Sequence, residues 1–159
     1  MPGRRLMMEL GDERTTLHRW LTFHREGVIA KVEDLGPEPL HRQLVVSGTT
    51  LGGIVHHLTA VEHGWFEVAF CGRERREQPP LAPDADGAAV VAAYREAIAR
   101  SDEILATCHD LEQRAAVRTY GPREPMTMRW ILSHMVQETA RHAGHVDILR
   151  ELVDGTVGL

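Results

Sequence analysis

Residues 130–152, WILSHMVQETARHAGHVDILREL, decide how the chain folds. Ile131, Met135, Leu149 and Leu152 return at helical intervals, so the stretch reads as one long helix with a face to bury. At about 100° per residue, and with Glu138 as the reference direction, His134 and His142 lie roughly 40° to either side. His145 lies about 20° away by the same projection. The four polar residues share the arc of the apolar ones, which places them on the core-facing seam. An unpartnered buried carboxylate is costly. A divalent cation removes that penalty, and neutral imidazole is the commonest metal ligand. Glu138 and His142 stand one turn apart and can bind one ion together. A third ligand from a facing helix would give a three-ligand centre with open positions, the catalytic arrangement. A neutral hydrogen-bonded network, or a helix end facing solvent, accounts for the same residues without a metal.

Three further helices precede this one. The first spans residues 12–34, with Leu17, Leu21, His24, Val28, Val32 and Leu35 on one face and Gly36-Pro37 as its stop. His24 on that face reads as a hydrogen-bonded core residue. Residues 37–49 are a connector, read as an extended loop packed on the helices. The second helix spans residues 51–70, capped by Thr49 or Thr50, with Leu51, Ile54, Val55, Leu58, Val61, Trp65 and Val68 inward. On this projection His56 and His63 point away. His57 falls on the flank of Ile54 and Val61, so it is the histidine the fold can bury and the best third ligand. Glu62 lies close to the inward face. Residues 71–86 form a polar, Pro-rich surface loop. Its GRERRE run reads as solvated, with an Arg meeting an anionic substrate as the alternative. The third helix spans residues 87–110 behind Asp84 or Asp86, and residues 111–125 form another connector with Gly121-Pro122 and Pro125 as breakers. Thr127 caps the last helix and Gly155 ends it. Four helices of about 20 residues make an all-α four-helix bundle, with residues 1–159 as a single domain.

Composition narrows the function. A net charge of −5 favours neither nucleic acid nor an anionic membrane. Lys31 is the one lysine, so the arginines reflect compositional bias rather than a basic binding surface. Cys71 and Cys108 make no CxxC pair, and Cys108 lacks the neighbours of a nucleophile and reads as a structural thiol. No signal peptide and no span of roughly 18 apolar residues is present, which implies a soluble cytoplasmic protein. His134 and His145 are candidates to orient the ligands or to move protons.

The segments TLGGIVHHLTAVEHGWF and ILSHMVQETARHAGHVDILREL together resemble the DinB/YfiT-like superfamily, and most nearly its small members from high-GC bacteria. The resemblance implies a bundle of up-down-down-up topology that holds a metal through one His of the second helix and a His-or-Glu/x3/His pair of the last. Glu138 and His142 match the pair and His57 the remaining ligand. Glu at the first position resembles the mycothiol-dependent maleylpyruvate isomerase branch, and His145 stands where many members have Gln. The resemblance further implies Zn²⁺, with Ni, Mn or Fe also compatible, a small-molecule substrate, mycothiol as a co-substrate, and a homodimer. The activity it implies is thiol S-transfer or isomerisation. This chain has no counterpart of the isomerase's additional C-terminal domain, which weakens that specific activity. Hydrolysis by metal-bound water and non-enzymatic metal or small-molecule binding are the other two readings.

Overall fold

Side-chain caps set the helix starts in the computed structural model, which describes residues 11–118 and 124–158. Helix α1 (Glu13–Ala30) follows Asp12, whose carboxylate accepts from the Thr15 N–H at 2.8 Å. Pro37 sets the next helix start, but α1 ends well ahead of it and of the expected Gly36-Pro37 stop. The regular helix stops at Ala30, residues 31–34 form a turn, and Pro37 opens a short helix α2 (Pro37–His41) from its first turn. Proline suits that position because its missing N–H would have no helical partner there. The expected connector thus contains a helical turn. Only part of it packs: Leu44 lies against the core, whereas Val45 and Val46 are exposed.

Thr50 rather than Thr49 caps α3 (Leu51–Glu62), which runs without a break into a π-helical stretch, His63–Phe70. Backbone bonds at five-residue spacing, such as Cys71 N–H to Phe66 O at 3.2 Å, mark that change. Asp86 caps α4 (Gly87–Thr107), and Thr127 caps α5 (Met128–Asp154). Gly155 closes α5 in the left-handed conformation at φ 78°, a geometry favouring glycine. The N-terminal residues 1–10 and the Gly121-Pro122 breaker lie outside the described residues.

Ion pairs fix the helix directions. Glu13 meets Arg129 near the start of α5 and Asp34 meets Arg150 near its end, so α1 and α5 are parallel. Arg25 reaches Asp102 and Glu33 reaches Arg95, so α1 and α4 are antiparallel. Trp65 packs on Trp130 while His57 meets Glu138, so α3 opposes α5. His56 and Ala89 line one cavity and Glu67 bonds Arg100, so α3 and α4 are parallel. The bundle is therefore up-down-down-up, and the long 71–86 connection makes the parallel α3–α4 step feasible.

The core has two apolar halves. One gathers Val28, Leu58, Val91 and Val146, the other Leu21, Phe66, Ile104 and Met135. Between them each helix contributes buried polar groups: Arg25, Glu62, Ser101 and Thr139. Arg25 donates to both oxygens of Glu62, Nε to Oε1 at 2.7 Å and Nη2 to Oε2 at 2.6 Å, and neither side chain is more than 2% exposed. Its Nη1 bonds Asp102 at 2.8 Å. The candidate site residues of α3 and α5 lie near the height of this polar waist.

Candidate metal centre and its flanking cavities

Glu138 sits where α5 passes α3. His57 Nε2 and His142 Nε2 each lie 3.1 Å from its Oε1. The three ligand atoms fall within 4.8 Å of one another, and this is the only such group of three or more potential metal ligands among the described residues. The two imidazoles pack edge to face, with centroids 5.0 Å apart. Arg141 holds the other carboxylate oxygen, Oε2. Burial raises the Glu138 carboxyl, but bonds from His57 and Arg141 outweigh it and draw its pKa down to about 2. Burial lowers that of His142 against the opposing pull of Glu138. Near neutral pH the pair thus offers a carboxylate and a neutral imidazole, the protonation states in which both act as ligands.

The three side chains come together, but not on the core seam. His57 is exposed, with 48% of its side chain accessible, while Glu138 and His142 are at the margin of the core at 12% and 14%. The buried side of α5 is built from Met128, Ile131, Leu132, Met135, Thr139, Val146 and Leu149. On the helical projection its centre lies roughly 70° from Glu138. Leu152, expected inward, is exposed. His142 is closest to that centre, which is why it is better covered than the exposed His145.

The other histidines also differ from their projected positions. His63, expected to point away, is enclosed: its Nδ1 is 3.1 Å from Glu67 Oε1 and its Nε2 accepts from the Arg76 N–H. The π-helical turn carries more residues per turn than the projection assumed, which rotates Glu67 inward beside His63, while the Arg76 backbone covers the other ring nitrogen. His56 is half-buried, 2.8 Å from the Pro79 carbonyl. His24 is half-buried and stacks on Trp20 instead of sitting in the core. The position beside it, Arg25, is the buried one. Cys108 is buried, and its thiol donates to the Asp110 carbonyl at 3.2 Å. The GRERRE run is only partly free, since Arg73 and Arg76 pair with Glu67.

Two cavities meet at His57. One, of about 530 Å³, is lined by Ser47, Thr49, Thr50, Arg141 and all three members of the cluster. The second, of about 370 Å³, is lined by His57, Val61, Trp65, Arg75 and His134. His134 stacks on Trp130 at 5.0 Å and meets Trp65 edge-on at 4.9 Å. Burial lowers its pKa. His145 packs against His142 at 5.4 Å but lines a separate cavity with Val45 and Ile148.

A sequence model described as mycothiol-S-transferase matches residues 16–155. The chain belongs to the mycothiol-S-transferase family. A DinB-like protein from Bacillus cereus ATCC 10987, solved by crystallography at 2.01 Å, has the same fold. Its TM-score is 0.70 at 18% identity, over 91% of this chain and 95% of that one. Family and fold together put this family member in the DinB/YfiT-like superfamily. No curated protein matches the chain. Among the described residues no helix is long and apolar enough to cross a membrane.

Proposed function

We propose that this member of the family is a divalent-metal-dependent S-transferase that uses mycothiol, with His57, Glu138 and His142 holding the metal. The observation that carries the reading is the convergence of one carboxylate oxygen and two imidazole nitrogens at the junction of two cavities. The residues fit a metal. Arg141 occupies Oε2, so Glu138 would bind through Oε1 alone, and three protein ligands leave positions open. His₂Glu suits zinc and is compatible with nickel, manganese or iron. When bound, the ion supplies the positive charge that favours a thiolate over a thiol at neutral pH.

In the transfer the thiol loses its proton and its sulfur lone pair forms a bond to an electrophilic carbon. Either a leaving group departs with its bonding pair, or a double-bond pair moves to the neighbouring carbon, which takes up a proton. His134 is the residue placed to handle that proton. Its ring lines the second cavity beside His57, its nitrogens have no hydrogen bond among the described residues, and burial favours its neutral form. His145 could act only through the His142 ring it touches. A small-molecule substrate and the cytoplasm, where thiols stay reduced, follow from the same reading.

The test pairs elemental analysis with a transfer assay. Wild-type protein should carry stoichiometric metal, His142→Ala should not, and mycothiol should be consumed with chlorodinitrobenzene as chloride is released. Protein without metal whose melting ignores chelators sinks the metal assignment. Substrate turnover that never requires a thiol replaces transfer with hydrolysis by bound water.

A further inference from the structure

The second cavity touches the cluster only through His57, and its chemistry differs from that of the first. Ser47, Thr49 and Thr50 bring hydroxyl groups to the first, which suits the polyhydroxylated body of a sugar-based thiol. The second is walled by Ala60, Val61 and the ring of Trp65, with the imidazole of His134 against that ring. Ring contacts among Trp65, Trp130 and His134, one stacked, one edge-on and one tilted at 4.9–5.2 Å between centroids, hold these rings in place before anything binds. Gly64 leaves the wall open: a Cβ there would meet only Arg75 Nη2, at 4.0 Å.

Arg75 is the polar group of this cavity that has nothing to do within the fold. Arg73 and Arg76 on either side of it are tied to Glu67, whereas Arg75 has no hydrogen bond or ion pair among the described residues. Its surroundings are basic: Arg75, Arg76 and Arg100 line one adjoining cavity, against Glu77. Glu67 carries a single charge shared by Arg73, Arg76 and Arg100. An unpaired guanidinium at the mouth of an aromatic-walled cavity is suited to a carboxylate.

We propose that this cavity is the acceptor subsite, and that it takes a flat, apolar electrophile bearing a carboxylate, with the ring against Trp65 and the carboxylate on Arg75. The electrophilic carbon then faces His57, where sulfur arrives from the other cavity. The proposal rests on the S-transferase reading for the word acceptor, but the binding site itself does not.

Binding is therefore measured without turnover, by calorimetric titration of the purified full chain with 1-naphthoate and with its neutral analogue 1-naphthalenemethanol. Wild type should prefer the carboxylate about tenfold, or ~1.4 kcal/mol. Arg75→Gln, a change on an exposed loop, should erase the preference and leave the neutral compound unaffected. Gly64→Leu should abolish both, with its melting curve recorded to show that it folds. In the transfer assay Arg75→Gln should raise KM for 4-chloro-3-nitrobenzoate about tenfold relative to chlorodinitrobenzene, with kcat little changed. An unchanged preference in Arg75→Gln, or wild-type binding in a folded Gly64→Leu, overturns the subsite even if S-transfer is active. Naphthoate binding that responds to both variants in a protein without S-transfer upholds the subsite and removes the S-transferase reading.

Discussion

Glu62→Gln should be among the most damaging single changes in the chain, although Glu62 touches no cavity of the candidate site. Its carboxylate receives two guanidinium bonds of 2.6–2.7 Å in a place with no solvent access. Without the charge, Arg25 stays at 2% exposure with a cation to satisfy. Breaking one side of a buried pair generally costs about 3–5 kcal/mol. Asp102 still holds Nη1, and its own side chain is 38% exposed, so the loss falls near the lower figure, about 3 kcal/mol. For a chain of this length that corresponds to a fall in Tm of about 6–12 °C.

The pair is dispensable as a pair. Arg25→Met with Glu62→Leu removes both desolvation penalties and leaves apolar groups of similar size between two apolar halves, so the double variant should be more stable than either single one. Urea denaturation of wild type, Glu62→Gln, Arg25→Met, Glu62→Leu and the double variant, with the midpoints compared at a common m-value, measures this directly. The same helix carries His57, and the double variant should keep the wild-type metal content. A Glu62→Gln variant within about 1 kcal/mol of wild type would refute the claim of an uncompensated buried charge. So would a double variant less stable than both singles.

The remaining predictions concern metal, acid and backbone. Zinc at about 100 times its dissociation constant should add ~2.7 kcal/mol and raise Tm by about 5–11 °C, an effect that chelator reverses and that scanning calorimetry should find missing in His142→Ala. Glu67 is one of the acid-sensitive residues. Burial pushes its carboxyl up, but His63 and the arginines prevail and hold it below the ordinary carboxylate range. Its folded pKa lies under its unfolded one, so its contribution is complete above about pH 4.3 and is lost as pH falls through the folded value. Chemical denaturation at a series of pH values should show a shallower acid limb in Glu67→Gln. Gly87→Ala ordinarily helps a helix, yet here the new Cβ would lie 1.9 Å from the Val32 carbonyl oxygen. It should lower Tm, by about 3 kcal/mol of lost stability; a rise in Tm would contradict that packing. Thr127→Ala removes the bond to the Trp130 N–H and should cost about 1 kcal/mol in urea melts.

Local signals made much of the fold readable from the sequence. Thr127 and Gly155 bound the last helix because caps act through their own side chain or backbone angle, without help from distant residues. Helix stripes such as Leu51, Ile54, Val55 and Leu58 are likewise local, and all four are buried. The π-helical stretch was not readable. Nothing in HGWFEVAF distinguishes five-residue from four-residue bonding, and the uniform projection accordingly missed the buried Glu67 that, with the Arg76 backbone, encloses His63. Arg25 was missed for a different reason. It lies four residues after Leu21 and three before Val28, on the buried stripe, but an isolated stripe cannot show that its charge has a partner. The signal is in two helices together: Glu62 lies four residues from both Leu58 and Phe66, at the corresponding level, with opposite charge.

The candidate metal cluster was readable from spacing and resemblance, whereas its burial was not, and the two have separate causes. Spacing of four on α5 brings Glu138 and His142 together whichever way the helix faces, because that distance is internal to the helix. Orientation depends on what competes for the core. On α5 Met135, Val146 and the small residue Thr139 take the centre, and the sequence reading counted Met135 but neither Val146 nor Thr139. The consequence is chemical. A centre on the central seam would be closed by side chains from every helix. At the α3–α5 margin one histidine is open to solvent and cavities flank it on two sides, which leaves it accessible from both. The most deeply buried ion pair is elsewhere, Arg25 with Glu62, where it joins α1 to α3 and holds the helix that carries His57. Rigidity at the waist and access at the margin are thus assigned to different residues of α3, Glu62 facing α1 and His57 facing α5. A variant that loses stability through Arg25 or Glu62 should therefore be separable from one that loses the metal through His142.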